Sequence, residues 1–306
     1  DKSAPNNTLT YKVLSGNDAG MFELSAAGKL SVAKNTLDYE KVASYTLTVQ
    51  VSDAGTPSQK DTAIVKISVL DVNEKPEIAD ASYSVEENTA AGLVLGTLVA
   101  TDPDKSAPNN TLTYKVLSGN DAGMFELSTA GKLTLVLDSL DYEKVASYTL
   151  TVQVSDAGTP SLKDTAIVKI SVLDVNEKPE IADASYSVEE NNKASITLGT
   201  LSATDPDKSS PNNRLTYKIL SGNSGSFFEV SATGKLSVVK AGFDYETKSS
   251  YTLTVQVSDA GTPSLKDTAV VKVSILNVNE KPVIADAEFT IPRSATAADL
   301  VGVLKA

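Results

Sequence analysis

The chain has 306 residues, 41% of them hydrophobic and 22% charged, with 39 acidic side chains against 27 Lys and Arg and a formal net charge of −12. That balance excludes a nucleic-acid binder, whose phosphates demand clustered Lys and Arg, and suits divalent cations instead. Apolar runs of only a few residues fall far short of the roughly 20 that cross a bilayer, and the absence of histidine and cysteine removes the common catalytic bases, the thiol nucleophiles and disulfide bracing.

In chain order, no signal peptide opens the sequence at Asp1, as expected of a mature or excised segment. The first landmarks are Asp38-Tyr39-Glu40 and Asp53-Ala54-Gly55, followed by Asp71-Val72-Asn73-Glu74-Lys75-Pro76. This last stretch packs two carboxylates and an amide together and then stops at a proline, so it reads as a polar joint between compact units, and a joint this acidic needs a cation. The joint recurs every 103 residues, at Asp71, Asp174 and Asn277, and the other landmarks keep the same register at Asp141-Tyr142-Glu143 and Asp156, then at Asp244-Tyr245-Glu246 and Asp259. Residues 1–88 and 104–191 differ at eight positions, among them Ala26/Thr129, Lys34/Leu137 and Gln59/Leu162. A period of this size is a domain length, so the chain is a tandem array of globular modules. The expected boundaries are 1–76, a repeat lacking its opening strands; 77–179 and 180–282, two complete repeats; and 283–306, the opening strands of a further one.

Within 77–179 the apolar residues recur at every second position. Tyr148-Thr149-Leu150-Thr151-Val152-Gln153-Val154 alternates, as do Ala166, Val168, Ile170 and Val172 along the last run before the joint. Turn signals lie between such runs at Ser118-Gly119-Asn120-Asp121, Ala130-Gly131-Lys132 and Ala157-Gly158-Thr159-Pro160. With no helical stripe, about seven short strands per module predict an all-β, immunoglobulin-like, antiparallel Greek-key β-sandwich.

Six motifs keep one order in the second repeat: Val85-Glu86-Glu87-Asn88; Ala100-Thr101-Asp102-Pro103-Asp104; Asn109, Leu112 and Tyr114; Leu140-Asp141-Tyr142-Glu143; Val154-Ser155-Asp156-Ala157-Gly158; and Asp174-Val175-Asn176-Glu177. In this order they resemble the cadherin repeat, in its bacterial form, over essentially the whole chain. The resemblance implies a rod of sandwich modules in a cell-surface or secreted adhesin, with calcium at each junction. Carried over by position, the first junction takes Asp38, Glu40, Asp71, Asn73, Glu74, Asp102, Asp104, Asn109 and Asp156. The second takes Glu87, Asp141 and Glu143, then Asp174, Asn176 and Glu177, then Asp205, Asp207, Asp259 and the carbonyl of Asn212. A single Glu stands where the cadherin linker has an Asp-Asn pair, which leaves two or three ions per junction open. Asn277 replaces the Asp of the other joints, and Ile291-Pro292-Arg293 stands where Val85-Glu86-Glu87 stood.

The chemistry of the donors agrees with that implication. Calcium takes oxygen ligands from Asp, Glu, Asn and backbone carbonyls, whereas zinc and copper sites draw on histidine and cysteine. Lys75 and Lys178 offset local charge, and Tyr39, Tyr142 and Tyr245 are expected as packing anchors for the flanking carboxylates. The functional expectation is a non-enzymatic, calcium-rigidified extender and adhesion module that can self-associate. The alternative, a calcium-dependent carbohydrate-binding module, is disfavoured by 6% aromatics and no Trp. Residues 283–306, aligning with 77–100, are expected to be donated to the first module of a neighbouring chain.

Overall fold

The structure is a computed structural model in which residues 3, 4 and 6–305 are described. The chain forms two compact units, Asp1–Asp174 and Val175–Ala306.

The first unit begins with β1 (Leu9–Ser15), β2 (Phe22–Leu24), β3 (Leu30–Val32), β4 (Ser44–Asp53) and β5 (Lys60–Ser68), arranged as a β1-β4-β5 sheet and a β2-β3 pair. It continues with β6 (Glu77–Ile78), β7 (Ala81–Glu86), β8 (Val94–Thr97), β9 (Ala100–Thr101), β10 (Thr113–Ser118), β11 (Phe125–Leu127), β12 (Lys132–Leu135), β13 (Ser147–Ser155) and β14 (Lys163–Leu173). These make a β10-β13-β14-β7 sheet, a β11-β12-β8 sheet and a β6-β9 pair. The second unit repeats that plan with β15 (Glu180–Ile181), β16 (Ala184–Glu189), β17 (Ile196–Thr200), β18 (Ala203–Thr204), β19 (Thr216–Ser221), β20 (Phe228–Val230), β21 (Lys235–Val238), β22 (Ser250–Ser258) and β23 (Lys266–Leu276). Its sheets are β16-β23-β22-β19, β17-β21-β20 and β15-β18, and among the described residues no sheet crosses from one repeat into the next.

The alternation seen in the sequence becomes the core. Leu150, Val152 and Val154 on β13 face Val168 and Ile170 on β14, all fully buried, while the intervening Thr and Gln residues point away. The register between β10 and β13 slips between Val116 and Ser118. Gly119 follows with φ +86, where a Cβ would strike the Thr149 carbonyl, so the bulge requires glycine. In the second unit Phe243 occupies the position of Leu140, stacking on Phe227 with centroids 4.7 Å apart and meeting Tyr251 at 5.5 Å.

Two features depart from the sequence expectation. Strands β7 and β14 pair in parallel, from Ala81 opposite Val168 to Glu86 opposite Leu173, as do β16 and β23. Alternation reports which face is buried and carries no strand direction, so an all-antiparallel sheet could not be told from this one. Residues 283–305, expected as opening strands, form none. A strand needs a ladder partner for its backbone groups, and among the described residues no strand follows β23 to supply one.

Candidate metal centre

At the first joint, three carboxylates from distant points of the sequence come together. Glu40, Asp71 and Asp104 each present an oxygen, and these oxygens lie within 4.8 Å of one another. Asp104 is buried, held by Asn109 Nδ2 donating to its Oδ1 at 3.3 Å, while its Oδ2 accepts the Glu74 backbone N–H at 2.9 Å. The Asp104 N–H in turn donates to Asp102 Oδ1 at 3.0 Å. Asn73 donates through Nδ2 to Asp156 Oδ2 at 3.2 Å and to the Pro160 carbonyl at 2.9 Å. Asp156, also buried, is fixed by the N–H groups of Gly158 and Leu162 on its Oδ1, at 3.0 and 3.1 Å. The joint itself is clamped to the following module by Lys75, whose Nζ lies 2.6 Å from Asp164 Oδ1.

These bonds leave specific oxygens over. Asn73 Oδ1, Glu74 Oε2 and Asp102 Oδ2 are buried and accept no hydrogen bond. A buried polar atom without a partner is costly, and oxygens of this kind beside a carboxylate cluster are the ligand type that a hard divalent cation takes. The electrostatics are those of a cluster short of positive charge. Burial pushes the Glu74 carboxyl up, helped by Glu40, Asp104, Asp38 and Asp71, and burial pushes Asp102 up, with Asp104 and Asp156 adding to it. Asp38, expected in this set, takes Lys41 Nζ at 2.8 Å and the Lys41 N–H at 2.9 Å, as Asp141 takes Lys144 at 2.7 and 2.8 Å; the side-chain bond lowers the Asp38 pKa.

The second set is carried in two parts. On the first unit Glu87, Asp141 and Glu143 bring one oxygen each within 4.8 Å, and buried Glu87 accepts the Tyr142 N–H through Oε2 at 2.7 Å. Tyr142 packs against the core, as expected of an anchor. Asp174 closes this unit, half-buried. On the second unit the first-joint pattern is reproduced: Asn176 donates to Asp259 Oδ2 at 3.2 Å and to the Pro263 carbonyl at 3.0 Å, and the Glu177 N–H donates to Asp207 Oδ2 at 2.9 Å. Asn212 holds Asp207 Oδ1 at 3.2 Å. Asn176 Oδ1 and Asp205 Oδ2 are the buried oxygens left over, and burial, with Asp207 and Asp259 behind it, pushes the Asp205 pKa up to about 6.

One group was missed from the sequence. Glu190, Asp244 and Glu246 also bring oxygens within 4.8 Å. The period would have found them, since Glu190 stands 103 residues after Glu87. Here, however, Asn277 Nδ2 donates to Glu246 Oε1 at 3.0 Å and the Val278 N–H to Glu190 Oε1 at 2.8 Å, so protein donors meet the charge that Asp71 leaves open at the first joint. Tyr245 is exposed and its ring does not join the core, yet its N–H donates to Glu190 Oε2 at 2.7 Å as the Tyr142 N–H does to Glu87.

A family profile described as the Cadherin domain matches residues 1–70, 81–173 and 184–276. The chain is 32% identical to Protocadherin Fat 1 of Homo sapiens over 294 residues, covering 94% of this chain and 6% of that protein. It is 37% identical to Protocadherin Fat 4 of Mus musculus over 292 residues, covering 90% and 6%. The chain thus spans about 6% of the length of these relatives. Among solved structures, mouse Cadherin-23 EC22-24 matches with a TM-score of 0.69 and 30% identity, over 90% of this chain and 88% of that one. Protocadherin Gamma B2 extracellular cadherin domains 1-5 match with a TM-score of 0.74 and 26% identity, over 89% and 54%.

Proposed function

The chain belongs to the cadherin domain family, and we propose that it is a calcium-stiffened extender segment of a cell-surface adhesion protein. Its place is extracellular, as for the cadherin domains it resembles. The observation that carries the reading is the first joint, where the Glu40, Asp71 and Asp104 oxygens lie within 4.8 Å of one another beside the orphaned oxygens of Asn73, Glu74 and Asp102. Bound calcium would supply the positive charge and the remaining ligand field that this oxygen-only set lacks. The residues of the second set are assigned the same role, each unit contributing its own part. Modules 1–76, 77–179 and 180–282 are the rigid bodies in this reading, and the acidic joints are the places where stiffness depends on the ion.

The curated relatives described above are animal proteins and lend nothing to the bacterial placement made from the sequence. Carbohydrate binding is not favoured either, for Trp is absent and Tyr245 and Phe289 are the exposed aromatics among the described residues. The reading assigns no catalysis to the chain, since every acidic cluster lies at a joint.

Small-angle scattering with calcium and with chelator tests the proposal. The maximum dimension should be longer and better defined with calcium, saturating at on the order of 10⁻⁴–10⁻³ M, the range of extracellular calcium modules. Identical scattering in both conditions would defeat it.

A further inference from the structure

The turn after each Asp-Tyr-Glu holds its aspartate by one oxygen in the same way and loads the other oxygen differently. Asp38 Oδ1 accepts the Lys41 N–H at 2.9 Å, Asp141 Oδ1 the Lys144 N–H at 2.8 Å and Asp244 Oδ1 the Thr247 N–H at 2.9 Å. This bond orients the carboxylate, and the backbone supplies it whatever side chain stands three residues on. The second oxygen takes that side chain. Asp38 Oδ2 lies 2.8 Å from Lys41 Nζ and Asp141 Oδ2 lies 2.7 Å from Lys144 Nζ, whereas Asp244 Oδ2 accepts the Thr247 hydroxyl at 2.9 Å. The third repeat carries its lysine one place later, at Lys248. Its Nζ turns to Ser224 Oγ at 3.2 Å and to the Tyr251 ring, 4.0 Å from the centroid.

The lysines of the first two repeats are poorly placed to hold the fold. Their side chains are 81% and 80% exposed, and an exposed pair at this spacing contributes little to stability. Their position is what sets them apart. Asp141 brings an oxygen to those of Glu87 and Glu143, and Asp38 stands two residues before Glu40, whose oxygen lies with those of Asp71 and Asp104. A further ammonium reaches the first joint from the following module, where Lys105 Nζ donates to the Glu40 carbonyl. In joints short of positive charge, the chain itself therefore brings cations on flexible stems.

We propose, on the calcium reading above, that Lys41 and Lys144 are tethered counter-cations that compete with calcium for Asp38 and Asp141 and so set the affinity of the first and second joints. A divalent ion approaching Asp141 Oδ2 meets an ammonium already bonded there. It either drives Nζ off a charge-assisted hydrogen bond or stays with a like charge at its side, and both outcomes weaken binding. Exposure and a four-carbon stem make expulsion the easier course. The Lys144 N–H on Oδ1 keeps the carboxylate oriented after the side chain has left, so the ligand is not lost with the lysine. Before calcium arrives, the same ammonium lessens the mutual repulsion of Glu87, Asp141 and Glu143. The joint thus exchanges one cation for another. The Thr247 hydroxyl carries no charge, so the third repeat has lost this competitor at Asp244.

Titration calorimetry of the full chain with calcium tests the assignment. Lys41→Gln and Lys144→Gln keep a polar stem and remove the charge, and each should tighten calcium binding at its own joint about two- to fivefold, the range of an exposed ion pair. Lys41→Arg and Lys144→Arg retain the charge and should bind as the unmodified chain does. Lys169→Gln removes an exposed lysine from β14 opposite Ser82, outside the joints, and should change nothing. Gln variants that bind calcium no more tightly than the unmodified chain overturn the proposal and leave the calcium reading standing. So do Arg variants, or a Lys169→Gln chain, that tighten binding as much as the Gln variants at the joints. An unmodified chain that takes up no calcium overturns both.

Discussion

Asn73 Nδ2 donates to Asp156 Oδ2 at 3.2 Å across 83 residues of sequence, and Asn176 makes the same bond to Asp259 at the same distance and separation. Each asparagine spends its nitrogen on the module ahead of it, and its oxygen remains buried and unbonded. The pairing leaves each amide oxygen against a glycine, Asn73 Oδ1 beside Gly158 and Asn176 Oδ1 beside Gly261.

Asn73→Ala removes both donated bonds and the buried oxygen together. One partly buried hydrogen bond to a charged group and one exposed bond are lost, which should destabilise by about 1–3 kcal/mol in chelator. Chemical denaturation followed by circular dichroism would measure this, and calcium titration of the variant should show weaker binding. A variant with unchanged stability and affinity would mean that the joint is held elsewhere.

Asp71→Asn should give the first joint the arrangement seen at Asn277, whose amide donates to Glu246. Like-charge repulsion is relieved and a ligand is lost, so the unfolding midpoint in chelator should rise while calorimetry shows a lower calcium affinity. Movement of both quantities in the same direction would contradict the assignment.

Gly158 has no room for a side chain, since a Cβ there would run into the Asn73 amide, and Gly261 stands in the same relation to Asn176. Gly158→Ala should cost about 1–3 kcal/mol as overpacking and loosen calcium binding as Asn73 is displaced. Gly92 at φ +98 has open space around its missing Cβ, so an alanine there strains its own backbone but touches no joint residue. Gly92→Ala should therefore leave calcium affinity unchanged in the same titration.

Stability without calcium should fall as pH rises from about 4 to about 7. Asp205, raised from 3.8 to about 6, favours the protonated fold, so its contribution is present at the low end of that range and lost as pH passes through about 6. Asp102 and Glu74 are raised and act in the same sense. Asp38, Asp164, Asp244 and Asp267 are lowered, so their contribution is lost only as pH falls through those lowered values, below this window. Saturating calcium holds the carboxylates ionised and should reverse the trend. Thermal melts in chelator that improve steadily across the window would refute this.

The repeats and most of the acidic side chains that cluster at the joints were legible because a repeat displays itself: Asp71 and Asp174 are recognisable from sequence alone, and the alternation around Leu150 is the core face of β13. What stayed hidden concerns direction and choice of partner. Nothing in the apolar spacing of Ala166 to Val172 says that its edge neighbour is parallel. Asp38 and Glu40 are equally acidic in the sequence, and the alternation does not show that the turn after Asp-Tyr-Glu in the first two repeats also places a lysine on its Asp, Lys41 on Asp38 and Lys144 on Asp141. Asn277 replaces a carboxylate by an amide, and only the fold shows that Glu190, Asp244 and Glu246 still come together around the donor it supplies.

The parallel pairing of β7 with β14 has a mechanical consequence. The chain enters the module at the start of β7 and leaves at the end of β14, and six residue pairs from Ala81/Val168 to Glu86/Leu173 lie between those points. Tension applied along the polypeptide pulls the two strands past each other lengthwise, so the bonds between them share the load and yield together. An antiparallel pair pulled at adjacent ends would instead unzip one bond at a time. A module built this way resists being drawn apart through its termini, the direction in which an adhesive tether is pulled.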